Sequence, residues 1–341
     1  MKKILLILLA TGCISTTFSQ NIYQTNAFSD QYYGKVYVEN SEEVFSAGWI
    51  AIYEKGSDKE LIRVESDELA VDYTEKGEVK TNVKELPYGE QSVIIYEDFN
   101  FDGIKDFAIQ EGQNSCYHGP SYEIYLARNN GFVFSPSFTS LAQEYCGMFN
   151  VNYEDQTIST MTKSGCCWHQ FCLFDIVNNN PRLIQSVVED AFNPYFYLTT
   201  IETWDEQKQR MNKKEYRSMD EESLEVLFSF VIEKNNKKVI LFEAHGSLMY
   251  AFTKDDQKVE YYYPNDRDES NRFVYNKRLG SETIEFSNAS ATYKIYNTPA
   301  KVGIEVTTNG KVYDMKGKVS SRYGKLSAIS SKSLDNVKKS N

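Results

Sequence analysis

Nine residues, Asp98-Phe99-Asn100-Phe101-Asp102-Gly103-Ile104-Lys105-Asp106, constrain this chain more than any other stretch. Oxygen-bearing side chains fall at alternate positions around a glycine, a spacing that wraps a backbone around a hard cation such as Ca²⁺. Asp98, Asn100 and Asp102 turn their oxygens inward, the carbonyl of Ile104 adds another, and Asp106 closes the shell, while Gly103 permits the sharp turn. Without a cation, three carboxylates this close repel one another. The twelfth position counted from Asp98 is Ile109, where an EF-hand needs a bidentate Glu, so this is not an EF-hand. Val93-Ile94-Ile95-Tyr96 precedes the loop and Phe107-Ala108-Ile109 follows it, which makes it a clip between two strands. The competing reading is a solvated Asx turn that binds nothing. A filled oxygen shell leaves no position for an activated water, so calcium here is structural and implies no catalysis.

Lys2 and Lys3 precede the apolar run Ile4 to Ala10, and Thr17-Phe18-Ser19 supplies small residues before a cut ahead of Gln20. Residues 1–19 thus read as a secretory signal, and the mature protein is extracytoplasmic, periplasmic or secreted. Ala10-Thr11-Gly12-Cys13 also resembles a lipoprotein cleavage site, with Ala where Leu is usual; lipidation of Cys13 is the one route to a membrane. No later segment is long and apolar enough to span one. The formal charge is −11, and loss of Lys2 and Lys3 makes it −13, which argues against nucleic acid and permits a basic partner.

A mature length of about 320 residues predicts two domains. With 25 Tyr and 20 Phe against 7 Pro and 18 Gly, and with little helical periodicity, both are expected to be mostly β with aromatic cores. In residues 20–204, the calcium-loop domain, Gly34 to Val38, Gly48 to Tyr53, Leu61 to Val64, Val93 to Tyr96, Phe107 to Ile109, Tyr122 to Leu126 and Phe132 to Phe134 read as short strands. Their spacing predicts a propeller-like or sandwich-like antiparallel fold. Residues 205–222, rich in charge, read as a linker or solvated helix. Residues 223–329 read as an antiparallel meander turning at Asn235-Asn236, His245-Gly246 and Asp255-Asp256, with a further hairpin at Asn309-Gly310. Residues 330–341, rich in Ser, Lys and Asn, are expected to be disordered.

Cys116, Cys146, Cys166, Cys167 and Cys172 cluster in the first domain and, in an oxidising compartment, predict two disulfides and one thiol. On a strand, Cys166 and Cys167 point to opposite faces, so one pairs with Cys172 and the other with a distant partner such as Cys116 or Cys146. A zinc site from Cys166, Cys167, His169 and Cys172 has no usual spacing. His118, His169 and His245 sit in no nucleophile motif and read as loop or packing residues.

Glu97 to Gly103, Gly119-Pro120-Ser121-Tyr122-Glu123-Ile124-Tyr125-Leu126, Gly131-Phe132-Val133 and Ser164-Gly165-Cys166-Cys167-Trp168-His169 occur in the order seen in a group of exported bacterial proteins. Residues 85 to 185 resemble that group, which is related to periplasmic immunity proteins, and the loop itself resembles the calcium loop of FG-GAP propeller blades. The resemblance implies an incomplete β-propeller that holds calcium and blocks lysozyme-like effectors. It does not reach the second domain. Ser320-Ser321-Arg322-Tyr323 is a loose echo of the Ser-Gly-x-Tyr loop of lysozyme inhibitors and lacks the Gly. The expectation is a protein that is not an enzyme and acts by binding another protein, a lysozyme-like hydrolase by resemblance. The alternatives are a cell-wall or polysaccharide hydrolase with a β accessory domain and a carbohydrate-binding or adhesive module.

Overall fold

The computed structural model describes residues 21–86, 88–129, 131–191, 195–254, 257–265 and 272–340. The expected export signal and Cys13 lie outside them. The described chain is mostly antiparallel β-sheet, as the alternating sequence predicts, and its sheets stay open rather than closing into a barrel. It divides into two compact units, residues up to 162 with 173–182, and residues 163–172 with 183–341. The division falls inside the strands Trp168–Val177 and Asn180–Asp190, upstream of the charged segment where composition predicts it.

In the first unit Ile22–Thr25, Tyr32–Val38, Ser46–Glu54 and Glu60–Leu69 form one four-stranded sheet, and Ile94–Glu97, Asp106–Ser115, Gly119–Arg128 and Gly131–Phe134 form another. Side-chain alternation sends Val36, Val38, Ile50, Ile52, Ile62 and Val64 to one face of the first sheet, and they pack on Ile94, Phe107 and Ile109 of the second. The opposite face of the second sheet is closed by the helix Pro136–Gln143, which buries Phe138, Leu141 and Ala142. The Thr139 hydroxyl accepts a hydrogen bond from the Ile124 N–H at 2.9 Å, seating that helix on the sheet.

In the second unit Glu225–Val231, Lys238–Ala244, Ser247–Thr253 and Lys258–Tyr263 pair in order as a meander. A second sheet joins Phe273–Arg278, Ser281–Asn288, Ala291–Asn297, Val302–Thr308 and Lys311–Gly317. Phe228, Phe230 and Tyr250 from the first sheet and Phe273, Phe286 and Ile304 from the second share one core. The His245-Gly246 and Asn309-Gly310 turns have positive φ at both residues (+47° and +81°, +49° and +72°), the backbone of a type I′ hairpin. Asp255-Asp256 lies outside the described residues.

Two expectations need correction. The charged stretch 205–222 is neither a linker nor an α-helix. Arg210–Ser218 is a strand paired along its length with Tyr197–Asp205. Asp205 makes the turn, its Oδ1 accepting from the N–H groups of Gln207 and Lys208 at 3.0 Å each and its Oδ2 from Asn212 Nδ2 at 2.8 Å. Composition misled because an exposed hairpin draws its order from cross-strand pairing rather than from apolar burial.

The C-terminal segment is also ordered through residue 340. Leu326–Ser331 is a helix, and Val337–Ser340 runs parallel to Phe273–Arg278. Asn336, 2% exposed, anchors it: its Nδ2 donates to the Leu248 carbonyl at 2.9 Å and its Oδ1 accepts from the Leu248 N–H at 2.8 Å. This pair of bonds reproduces one rung of a sheet ladder. Lys332 Nζ bridges Glu225 at 2.6 Å and Glu243 at 3.0 Å. The Gly246 N–H and, after it, the Lys332 ammonium hold Glu243 down to about 2.

Asn336→Ala strands the Leu248 N–H and carbonyl in the core and is expected to cost about 2 kcal/mol in urea unfolding. A change below about 0.5 kcal/mol contradicts the anchoring role. Glu243→Gln is expected to cost about 1 kcal/mol near neutral pH, since a partly screened ion pair is lost and the Gly246 N–H keeps only a neutral acceptor. Because the folded carboxyl titrates at about 2, below its ordinary 4.5, that contribution is present above pH 4.5 and vanishes as pH falls through 2. Unfolding curves of parent and variant should therefore converge at the acid end.

Candidate metal centre

The residues singled out by spacing form the connection between Ile94–Glu97 and Asp106–Ser115, whose pairing begins with Glu97 opposite Asp106. Two residues pin the loop to the core. Phe99 is fully buried and meets Phe149 edge-on, centroids 5.3 Å apart. Asp106, also fully buried, accepts from the Phe99 N–H through Oδ2 and from the Ala127 N–H through Oδ1, each at 2.8 Å.

Above those anchors three side chains converge on the loop's own backbone. Asp98 accepts from the Asp102 N–H at 3.3 Å and the Gly103 N–H at 2.9 Å. Asn100 Oδ1 accepts from the same Asp102 N–H at 3.3 Å, and Asp102 Oδ1 accepts from the Ile104 N–H at 2.9 Å. Phe101 (φ +60°) and Gly103 (φ +86°) take left-handed conformations that make the loop's tight turns. The Ile104 side chain is exposed, and its contribution to any shell is its carbonyl alone.

This donor set is chemically suited to a hard cation: two carboxylates, one amide oxygen and one main-chain carbonyl. Asp106 differs from its expected orientation, because both its oxygens are committed to backbone N–H groups, although each keeps a second lone pair. Among the described residues no group of three His, Cys, Asp or Glu side chains is placed to hold a metal ion. Burial pushes the Asp106 carboxyl up to about 7, the two N–H groups oppose the rise, and the charges of Asp102 and Asp98 add to it.

Two neighbours of the loop were invisible locally in the sequence. Asn179, in a hairpin turn, accepts from Asn100 Nδ2 at 3.0 Å, and Arg128 Nη1 stands 3.7 Å from Asp102. Both are distant in the chain, so no spacing rule could have found them.

Cysteine pairing corrects the expected connectivity. Cys116 bonds Cys146, and Cys166 bonds its neighbour Cys167; buried Cys172 belongs to neither bridge. Cys166 and Cys167 lie in the turn after Gly165 (φ +63°), where strand alternation does not separate neighbouring side chains. That bridge falls in the second unit, so bridges are not confined to the first. The histidines are packing residues: His118 meets Phe45 edge-on and stands 3.4 Å from Glu68, His169 stacks on Phe171, and His245 lies against Tyr195.

No family model and no curated protein matches the chain. Among solved structures it is similar to a Xanthomonas type IV secretion system related protein, at 22% identity over 56% of this chain and 92% of the other, TM-score 0.45. It is also similar to a prolyl endopeptidase (9% identity, TM-score 0.24) and to prolyl oligopeptidase B from Galerina marginata (7%, TM-score 0.23). Each of these two alignments covers 87% of this chain and 42% of the peptidase, so the chain spans less than half their length. Likenesses at these scores carry no inference about what this chain does.

Alkylation of the mature protein, denatured without reductant, is expected to label Cys172 alone, and all five cysteines after reduction. Labelling of five without reductant contradicts both bridges.

Proposed function

We propose that this is an exported, calcium-binding β-protein that acts by holding another protein rather than by catalysis. The observation that carries the reading is the convergence of Asp98, Asn100 and Asp102 on the three successive N–H groups of Asp102, Gly103 and Ile104. Calcium taken up there is bound by those three side chains and the Ile104 carbonyl, with Asp106 closing the shell through its remaining lone pairs. The ion neutralises Asp98 and Asp102 and tightens the hairpin already anchored by Phe99.

Export is supported by the leader-like first nineteen residues and by the Cys116–Cys146 bridge, a bond favoured outside the cytoplasm. Among the described residues no helix is long and apolar enough to cross a membrane. The net charge favours a basic protein as partner. The resemblance of residues 85 to 185 to periplasmic immunity proteins makes a lysozyme-like cell-wall hydrolase the first candidate, with inhibition as the consequence of binding.

Calcium added to the metal-free mature protein is expected to raise its melting temperature, by linkage of binding to folding. Asp102→Ala should abolish that rise and weaken binding at least tenfold in titration calorimetry. A wild-type melting curve indifferent to calcium, with no heat of binding, overturns the reading. Residual lysozyme activity measured against increasing protein tests the inhibitory role, and release of sugars or peptides from cell walls by the protein alone refutes the assignment to binding.

A further inference from the structure

The first unit carries a second concave feature, away from the calcium loop in sequence and built on the outer face of its first sheet. Strand alternation that buries Val36, Ile50 and Val64 turns Tyr37, Trp49 and Glu65 outward side by side. Tyr37 stacks on Trp49 with centroids 5.8 Å apart and planes 25° from parallel. These rings form one wall of a groove of about 830 Å³, a volume in the range of small-molecule and peptide-anchor sites.

The remaining lining is acidic and amide-bearing. Glu39, Glu65, Asp67, Glu68 and Glu111 border the groove, and among the described residues no lysine, arginine or histidine does. A concave wall of one sign concentrates counter-charge more strongly than the same charges on a convex surface. Gln113 supplies an independent indication. It is 5% exposed and lines the groove, its Nε2 reaches the Glu68 carbonyl at 3.5 Å, and its Oε1 accepts no hydrogen bond from the described residues. That oxygen is not sealed in the core but opens on the groove, where a ligand donor can take the place of water.

The chain also shows which cation this surface accommodates. Just outside the groove, the Arg63 guanidinium lies 4.0 Å from the centre of the Trp49 ring, 3.6 Å from Glu65 and in a two-point bond to Glu60. With Tyr37 on one side and Arg63 over its ring, Trp49 offers little open face for a sugar to stack on.

We propose that this groove binds an extended, arginine- or lysine-bearing segment of a partner protein. One cationic side chain sits among Glu65, Asp67 and Glu111 and donates to Gln113, while its aliphatic stem lies against the outer edge of the Tyr37–Trp49 pair. The proposal rests on the reading of this protein as a binder and gives that reading a location and a ligand chemistry.

The test is fluorescence anisotropy of a fluorescein-labelled octapeptide of alternating arginine and serine, at physiological salt, with calcium and with chelator. The mature wild type should bind it saturably, and a glutamate–serine octapeptide should not bind. Glu65→Gln/Asp67→Asn/Glu111→Gln is expected to weaken binding at least tenfold. Asp58→Asn/Glu75→Gln/Glu78→Gln removes the same charge from exposed positions of the same unit and should change it less than threefold. Gln113→Leu, which leaves the charge intact, should cost three- to tenfold.

Equal losses in the two triple variants, no effect of Gln113→Leu, or saturable binding of chitohexaose in place of the basic peptide overturns the proposal. Peptide binding that persists in chelator, with the groove-specific loss intact, supports the groove while removing its dependence on the metal. Calcium uptake without any groove-specific loss does the reverse, so the two readings fail separately.

Discussion

A single buried carboxyl group ties the loop 98–106 of the first unit to its second sheet. Asp106 receives one hydrogen bond from within the loop, at Phe99, and one from a different strand, at Ala127. The loop therefore cannot swing away from the sheet without leaving a buried carboxyl group short of its hydrogen-bond partners, a larger cost than the loss of a surface contact. Phe99 adds aromatic burial against Phe149, so an apolar and a polar anchor act near the two ends of the same loop.

The same division between a rigid inner face and an available outer face recurs across the first sheet. Val36, Ile50 and Val64 fill the core shared with Ile94 and Phe107, and the period of two leaves Tyr37, Trp49 and Glu65 in a row outside. A partner meeting that row finds aromatic and carboxylate groups already positioned by the strands beneath them, so little ordering cost remains at binding. The loop proposed to hold calcium and the acidic groove thus draw on one architecture, the first at a strand connection and the second on a strand face.

In the second unit, order depends on polar closure as much as on its aromatic core. Asn336 substitutes for a strand partner at Leu248, Asp205 caps the turn into Arg210–Ser218, and Lys332 ties the C-terminal helix region to two strands. These contacts sit in the segments with the least apolar sequence. There, side-chain bonds to backbone replace the hydrophobic burial that orders the meander.

The sequence by itself determined the local chemistry: which nine residues form the loop, which runs become strands, and which Gly-containing pairs make tight hairpins. Ligand spacing, two-residue alternation and positive-φ preference are all written within a few consecutive positions, where chain geometry leaves few choices. Only the tertiary structure decided that Asp106 faces inward to Phe99 and Ala127, that Cys116 meets Cys146 while Cys166 takes its neighbour, and that the charged stretch after Asp205 and the polar C-terminal segment are ordered. It also decided that Tyr37, Trp49, Glu65, Glu111 and Gln113 share one groove. Each of these outcomes depends on which residues, remote in the chain, folding brings within bonding distance, and composition or spacing at any single point carries no record of that.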